Sequence, residues 1–237
     1  IFSSGNDRRL VLSLDDFRNI FSKALRQNAN RDQQDILGDH NLNPGMSIPE
    51  VSKPAAVLIP VIGRDQEPTI LLTRRSDDLN HHAGQVSFPG GRHEKSDSNM
   101  RDTALRETEE EIGLKRDAVE VIGELPKYET RTGFSVKPIV GLIKPPFKLN
   151  VDRKEVADVF EVPISFVLDR KNHERHSREW QNTMRHFYVF PHPKYYIWGA
   201  TAGMLVNLAE LILAADETSR NDSVSYTHLT LPTNTVV

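Results

Sequence analysis

The sequence predicts an α/β sandwich, in which helices cover both faces of a mixed β-sheet. Short apolar runs bounded by turn residues, such as 55–62, are typical of buried strands. Segments with helical spacing lie before, between and after these runs, at about 14–24, 100–112 and 201–213. Strands and helices mixed along one chain in this way indicate a layered α/β fold.

Length and composition narrow the class of protein. A chain of 237 residues fits one medium-sized domain with its own core. The 30 Lys and Arg residues nearly balance the 33 Asp and Glu residues, so we expect no nucleic-acid partner. The chain has no cysteine, which excludes disulfides and thiol nucleophiles and fits a reducing, cytoplasmic location. We expect no membrane span, because no uninterrupted run approaches about 18 apolar residues.

The first 53 residues are predicted to contain a lead, an amphipathic helix and a linker. Ser13 is followed three residues later by Asp16, which is a signature of a helix N-terminus. Apolar residues then recur with helical spacing at Phe17, Ile20, Phe21 and Ala24. Residues 27–53 are polar and contain Gly and Pro, so we interpret them as a linker or long loop.

The remainder is divided into a domain over 54–216 and a tail over 217–237. Predicted strands fall on 55–62, 69–74, 86–88, 119–125, 135–142 and 155–163. A short helix is expected at 164–168, and a largely buried helix at 201–213 closes the domain. The tail is rich in Ser, Thr and Asn without a helical or strand period, so we predict disorder, with a non-native extension as the alternative.

An acidic helix that ends at Gly113 organises the predicted site, since Gly is a natural residue just after a helix. Its Glu107, Glu110 and Glu111 lie at i, i+3 and i+4 and therefore share one face. Such charges repel by roughly a few tenths of a kcal/mol per pair, so a cation should compensate them. Arg106 is one candidate and a divalent metal is the other, because Mg²⁺ and Mn²⁺ prefer carboxylate oxygens. A solvated acidic face is the alternative.

The wider pattern around this helix resembles the Nudix box. It comprises Gly91, Asp97, Arg106-Glu107, Glu110-Glu111 and Gly113. The family motif reads Gly, five residues, Glu, seven residues, Arg-Glu, an aliphatic, one residue, Glu-Glu, one residue, Gly, an aliphatic. This chain has Asp97 in place of Glu, one extra residue before Arg106, and Thr108 in place of the aliphatic. The first two departures fall in the loop before the helix and leave the spacing of the glutamates intact.

This resemblance implies a Nudix-type α/β/α sandwich with a mixed sheet and a Mg²⁺- or Mn²⁺-dependent attack of water on a pyrophosphate. It implies that Glu107 and Glu111 are the principal metal ligands. Glu110 is then a further ligand or the base that activates water, with Glu155 as a reserve base. Arg106 is expected to orient the glutamates through an ion pair, so the predicted catalytic group is Arg106, Glu107 and Glu110.

A second signature resembles the extra motif of the bacterial coenzyme A pyrophosphatase branch. It runs from Leu71 to Ser76, continues at Gly84 and ends in the stretch Phe88 to Gly91. The branch motif has an Arg where this chain has Asn80, which removes one expected cation. The two resemblances together cover roughly residues 12–214.

The second resemblance implies a substrate site built from Arg74, Arg75, Gly84, Gly90 and Gly91. Arg74 and Arg75 are expected to bind the 3′-phosphate or the diphosphate, because guanidinium groups bind phosphate well. Their alternative is an ordinary pair of charges at a strand end. Gly90 and Gly91 permit positive φ and let the backbone approach a ligand closely.

Three functions remain open from the sequence. The first is hydrolysis of coenzyme A and its derivatives to a 4′-phosphopantetheine product and adenosine 3′,5′-bisphosphate. The second is the same chemistry on another nucleoside diphosphate conjugate, such as ADP-ribose or NADH. The third is a non-catalytic ligand-binding domain, which the presence of all three helix glutamates opposes. The coenzyme A signature favours the first, with a small-molecule substrate as the expected partner and a homodimer as an open alternative.

Overall fold

The computed structural model describes residues 12–28, 37–46, 52–79, 82–180 and 182–226. The helices in these residues are α1 Leu14–Asn28, α2 Asp39–Leu42, α3 Met100–Ile112, α4 Ile164–Leu168 and α5 Gly199–Tyr226. The strands are β1 Leu37–Gly38, β2 Lys53–Ile62, β3 Thr69–Arg75, β4 Val86–Ser87, β5 Gly90–Arg92, β6 Val119–Glu124, β7 Tyr128–Glu129, β8 Phe134–Ile143, β9 Val156–Pro163, β10 Glu174–Trp180, β11 Thr183–Pro191 and β12 Tyr196–Trp198.

A mixed sheet of nine strands forms the centre of the described structure. Strand β2 pairs in parallel with β8 along its whole length, from Lys53 opposite Phe134 to Ile62 opposite Ile143. Its other edge pairs antiparallel with β5 near its beginning and with β3 near its end. Helix α3 packs on β2 and β5.

Helices cover both faces of this sheet, which confirms the predicted sandwich. Along β2 the side chains alternate, as expected for a strand that is buried on both sides. Ala56 and Leu58 belong to the core cluster that contains the inner face of α3. Ala55 and Ile59 belong to the larger cluster that contains residues of α1, α4 and α5.

The predicted N-terminal helix is present as α1 and is part of the domain. Ser13 Oγ accepts from the Asp16 backbone N at 3.1 Å, and the Asp16 carboxylate accepts from the Ser13 backbone N at 3.0 Å, which is a reciprocal capping arrangement. Phe17 and Phe21 are fully buried, and their stacked ring centroids are 6.0 Å apart. They belong to the same core cluster as α5, so α1 packs on the sheet rather than preceding the domain.

The predicted linker over 27–53 is corrected in its middle. Strand β1 pairs in parallel with β7, with Leu37 opposite Tyr128. The Asp39 carboxylate, in α2, accepts from the Tyr128 hydroxyl at 2.8 Å and from the Arg131 backbone N at 2.9 Å. A two-residue strand is too short to produce a periodic apolar pattern, and these attachments are mostly polar, so the composition concealed them.

The second sheet is small and follows the main one along the chain. It contains β10, β11 and β12 in that order, all antiparallel. Strands β10 and β11 form a hairpin in which Trp180 is opposite Thr183, and Asn182 in the turn has a φ of 58°. Every residue of β10 is exposed, whereas Val189 and Phe190 near the end of β11 are buried in the core.

Helix α5 closes the domain as predicted but continues further. Its window Gly199–Thr218 is long and apolar enough to cross a membrane by length and composition, yet more than half of that window is buried inside the protein. Packing against α1 and α4 therefore accounts for its apolar residues. The helix extends to Tyr226, so the predicted disordered tail from 217 begins too early. Residues 217–226 contain no Gly or Pro, and their polar residues lower helix propensity only slightly.

Candidate active site

Helix α3 is held at both ends by the local sequence. At its start the Asn99 side chain accepts from the two backbone N–H groups of Arg101 and Asp102, at 2.9 and 3.0 Å. At its end Gly113 has a φ of 69°, a conformation that Gly adopts without strain, and its N–H donates to Glu109 O at 2.9 Å. The helix predicted from about Met100 to Gly113 is confirmed, and its acidic face lies next to β5.

Glu111 is the buried acid of this face, with about 5% of its side chain exposed. Its Oε2 accepts from the Gly90 backbone N at 3.1 Å, and its Oε1 lies 3.7 Å from Nη1 of Arg75. Burial raises the pKa of Glu111 to about 8, which outweighs the Gly90 hydrogen bond and the charge of Arg75. A buried carboxylate with so little compensation is a group that a bound cation would stabilise.

Glu107 lies one turn earlier, against the backbone of β5. A Cβ added at Gly91 would meet the Glu107 carboxyl carbon and Oε2 at 2.4 Å. Any larger residue at this position would have to displace the Glu107 carboxylate, which gives Gly91 a packing role that the sequence did not reveal. Burial is the largest cause that raises the pKa of Glu107, and the hydrogen bond from Arg106 opposes it.

Arg106 joins the acids into one network. Its Nε and Nη2 donate to the two carboxylate oxygens of Asp97 at 2.7 and 3.0 Å, which is a bidentate pair. Its Nη1 donates to Glu107 Oε1 and to Glu110 Oε2, both at 3.0 Å. Its Nη2 also reaches the Arg92 carbonyl at 3.1 Å. This geometry is the one that an orienting arginine needs, and its catalytic role stays a prediction.

Asp97 anchors this network from the loop before α3. Its side chain is almost fully buried, and it also accepts from the Thr103 hydroxyl and the Glu94 backbone N, both at 2.9 Å. The hydrogen bonds from Arg106 hold the pKa of Asp97 well below its usual range. Asp97 was not among the predicted site residues; the signal that could have identified its role was its position in the box, where the motif has Glu.

The three predicted metal ligands face arginines in this structure. Arg106 contacts Glu107 and Glu110, while Arg75 faces Glu111. Among the described residues no group of three His, Asp or Glu side chains converges on one point. Glu110 is also the most exposed of the three, with 59% of its side chain accessible. The structure thus brings Glu107 and Glu111 together on the inner side and leaves Glu110 at the solvent edge.

The residues nevertheless fit a divalent cation. Carboxylate oxygens suit Mg²⁺ or Mn²⁺, and the space at Gly91 admits the Glu107 carboxylate against the strand. Among the described residues Arg75 Nε is buried without a hydrogen-bond partner, while about 27% of the Arg75 side chain is exposed, so the same site also has a guanidinium that an anion could contact. Glu107 and Glu111 are the residues that would hold the ion, with Glu110 able to join them by leaving Arg106.

The reserve base Glu155 lies beside this group, just before β9. Its charge contributes to the raised pKa values of both Glu107 and Glu111, which places its carboxylate within electrostatic reach of them. Its carbonyl accepts from the Ser76 backbone N at 2.8 Å, and its side chain is exposed. The choice between Glu110 and Glu155 as base stays open.

The two arginines of the coenzyme A signature have different partners. Arg74 Nη1 donates to both carboxylate oxygens of Asp77 at 2.8 and 3.1 Å. Gly84 has a φ of 69°, and a Cβ there would lie 2.8 Å from Asp77 Oδ1, so this Gly makes room for the Arg74 ion pair. Arg74 is therefore already compensated, whereas Arg75 faces the acidic helix. Asn80, where the branch motif has Arg, lies outside the described residues.

Metal-free protein is expected to lose stability between about pH 5 and pH 8, and Glu111→Gln should remove much of this loss. The folded pKa of about 8 exceeds the ordinary 4.5, so within this window ionisation favours the unfolded chain. Below the ordinary value both states hold the proton and the penalty is absent. In urea unfolding with chelator, the free energy of unfolding of Glu111→Gln relative to that of the unmodified protein should rise by on the order of 2 kcal/mol from about pH 5 to about pH 8. A difference that does not grow with pH would contradict the raised pKa of Glu111.

Comparison with known proteins gives one family. A family model described as NUDIX domain matches residues 52–185, more than half of the chain. Uncharacterized Nudix hydrolase NudL of Cronobacter sakazakii is 40% identical over 177 residues, which cover 71% of this chain and 88% of that protein. The protein of the same name from Klebsiella pneumoniae subsp. pneumoniae is 38% identical over 207 residues, which cover 84% and 94%.

The solved structures that resemble this chain have lower sequence identity to it than the two NudL proteins have. The Nudix hydrolase RenU of M. smegmatis is 16% identical to this chain and has a TM-score of 0.45. The matched region covers 76% of this chain and 90% of the RenU chain. The Ap4A hydrolase of C. elegans in a binary complex is 19% identical to this chain and has a TM-score of 0.40. The matched region covers 47% of this chain and 80% of the hydrolase chain. At these TM-scores the likeness adds nothing to the fold described above.

Proposed function

Because the chain belongs to the Nudix family, we propose that it hydrolyses the pyrophosphate bond of coenzyme A and its derivatives. The products are a 4′-phosphopantetheine product and adenosine 3′,5′-bisphosphate. The oxygen of water forms a bond to one phosphorus, the bond from that phosphorus to the bridging oxygen breaks, and the other phosphate leaves with the electron pair. The proton of water goes to a carboxylate and then to solvent.

The observation that carries this proposal is the arrangement of Glu111, Glu107 and Arg75. Two carboxylates whose pKa values are raised by burial lie one turn apart. Arg75 lies beside them, and within the described part of the chain its buried Nε has no hydrogen-bond partner. Acids that need a cation, next to a donor that needs an anion, are suited to a metal-bound diphosphate better than to either component alone.

Each residue of the site has a separate role in the proposed reaction. When bound, the divalent ion neutralises phosphate charge and lowers the pKa of the attacking water. Glu107 and Glu111 would hold this ion, and Arg106 fixes the position of Glu107 through its hydrogen bond. Glu110 or Glu155 accepts the proton, since both carboxylates border the site from its exposed side. The partly exposed guanidinium of Arg75 donates to a phosphate oxygen.

We favour coenzyme A over other diphosphates as the substrate because the stretch from Leu71 to Gly91 resembles the motif of the coenzyme A pyrophosphatase branch. The names of the relatives specify no substrate. One observation favours the alternative, ADP-ribose or NADH: Arg74 is already paired with Asp77 and is therefore less free to bind an extra phosphate.

A substrate panel separates these possibilities. Purified protein with Mg²⁺ or Mn²⁺ is incubated with coenzyme A, acyl-coenzyme A, ADP-ribose and NADH, and the products are identified by mass. We expect kcat/KM for coenzyme A to exceed that for ADP-ribose by at least about tenfold, the factor that one lost charged contact of about 1.4 kcal/mol produces. Chelator should abolish turnover of every substrate. Faster turnover of ADP-ribose would replace the proposed substrate with the alternative.

A further inference from the structure

Strand β10 forms one edge of the small three-stranded sheet. Within the described part of the chain it pairs with β11 alone, from Glu174 opposite Val189 to Trp180 opposite Thr183. All seven of its residues are exposed. An edge strand presents a row of backbone N–H and C=O groups with which another strand can pair. We call the unpaired side of this strand the β10 edge.

The β10 edge carries the backbone groups of Arg175, Ser177 and Glu179. Ser177 is opposite His186, whose backbone N donates to Asn43 Oδ1 at 2.8 Å and whose carbonyl accepts from Asn43 Nδ2 at 3.0 Å. Because His186 directs both groups away from β10, it forms a non-hydrogen-bonded pair of the antiparallel ladder with Ser177. Ser177 therefore directs its own N–H and C=O outward, and the alternation of the ladder does the same for Arg175 and Glu179.

The side chains of these three residues are complementary to their own reversed order. They share one face of the strand, because side chains alternate with a period of two. A second β10 that runs antiparallel and is centred on Ser177 places Arg175 of each copy opposite Glu179 of the other. Among the residues that the structure describes, neither Arg175 nor Glu179 forms an ion pair. Charges usually protect an edge strand from pairing, but in this order they favour it.

We propose that β10 pairs antiparallel with β10 of a second copy of this chain, about a two-fold axis at Ser177. This register pairs all seven residues of the strand, whereas any other two-fold register leaves at least two of them unpaired. The interface is isologous, since each copy contributes the same surface. It joins two three-stranded sheets into one continuous sheet. The pairing is independent of the proposed reaction.

The opposite face of β10 is compatible with this register. Glu174 of one copy lies opposite Trp180 of the other and diagonal to its Arg178, so unlike charges are neighbours. His176 lies opposite Arg178 of the second copy. The Nε2 atom of His176 is 2.7 Å from Glu174 Oε2, so a carboxylate already lies beside the position that the incoming guanidinium takes.

Sedimentation equilibrium of the full chain tests the pairing. We expect a dimer with a dissociation constant in the micromolar range, because one paired edge is smaller than a standard interface. Arg175→Glu and Glu179→Arg each place like charges opposite each other at both ends of the pairing. Each should raise the dissociation constant by at least about tenfold. The double variant Arg175→Glu/Glu179→Arg restores both ion pairs with reversed polarity and should return to within about threefold of the unmodified protein.

The matched control is Arg101→Glu, which makes the same change in net charge at an exposed position of α3. Its dissociation constant should stay within about twofold of that of the unmodified protein, as for a charge outside the interface. The pairing would be disproved by a protein that stays monomeric at every concentration, including one that captures a strand of another protein instead. Single reversals without effect, or a double variant that does not recover, would also disprove it.

A cross-link gives a second readout, because the chain has no cysteine of its own. Ser177→Cys introduces one thiol, which the axis places opposite its copy at a Cα separation of about 5.5 Å, within the range for a disulfide. Glu174→Cys is the control, since the same register separates its two copies by about 20 Å. Under mild oxidation the first variant should form a covalent dimer at least about tenfold faster than the second. Equal rates would overturn the axis at Ser177.

Discussion

Glu111→Gln is expected to lower kcat/KM for the diphosphate substrate by at least about 10³-fold, and Glu107→Gln by a similar factor. Each change removes a negative ligand from a divalent ion whose charge stabilises the transition state, and losses of this size follow from removing one such electrostatic contact. Steady-state kinetics across a range of Mn²⁺ concentrations measure the effect. Partial recovery at high Mn²⁺ would indicate that the metal affinity, rather than the fold, has changed.

The control for this prediction is on the same helix. Glu109 points away from the site and forms ion pairs with Lys115 at 2.8 Å and with Arg116 at 3.3 Å. Glu109→Gln makes the same chemical change without touching the inner face, so activity should remain within about twofold, as for an exposed ion pair. If Glu111→Gln kept more than a tenth of the activity, Glu111 would not be a principal metal ligand.

The sequence was sufficient for the parts of the site that depend on one helix. The spacing of Glu107, Glu110 and Glu111 follows from the helical period alone, and Gly113 marks the helix end by its conformational freedom. Burial was not predictable from that spacing. Glu111 and Glu110 are adjacent in sequence, yet one is buried and the other exposed, because only the first lies over β5.

Contacts between distant segments were harder to predict. From the sequence, Arg74 and Arg75 are predicted to act as one phosphate-binding pair. A register irregularity between them in the β3–β9 pairing interrupts the alternation of side chains, so the strand period does not give their directions. Their partners, Asp77 and Glu111, became evident only from the three-dimensional structure. The same limit concealed β1, whose pairing with β7 depends on backbone contacts across the chain.

Arg106→Lys is expected to lower kcat/KM by about 10²-fold and the free energy of unfolding by about 2–4 kcal/mol. Arg106 makes a bidentate pair with Asp97 while it also holds Glu107 and Glu110. An ammonium group cannot reproduce this fork, so Asp97 is left buried with an incomplete partner, and the loss follows from an uncompensated buried charge. Urea unfolding and steady-state kinetics of the same preparation measure the two effects.

The partner variant Asp97→Asn separates structural from catalytic loss. Since Arg106 lowers the pKa of Asp97, the ion pair stabilises the fold above the ordinary Asp range, and this contribution disappears as pH falls through and below it. The stability difference between unmodified protein and Asp97→Asn should therefore shrink from neutral pH towards about pH 3. In the double variant Arg106→Lys/Asp97→Asn the stability losses should be less than additive, because both changes break one contact. Additive losses would mean that Arg106 and Asp97 act independently, and the network would then not be what positions Glu107.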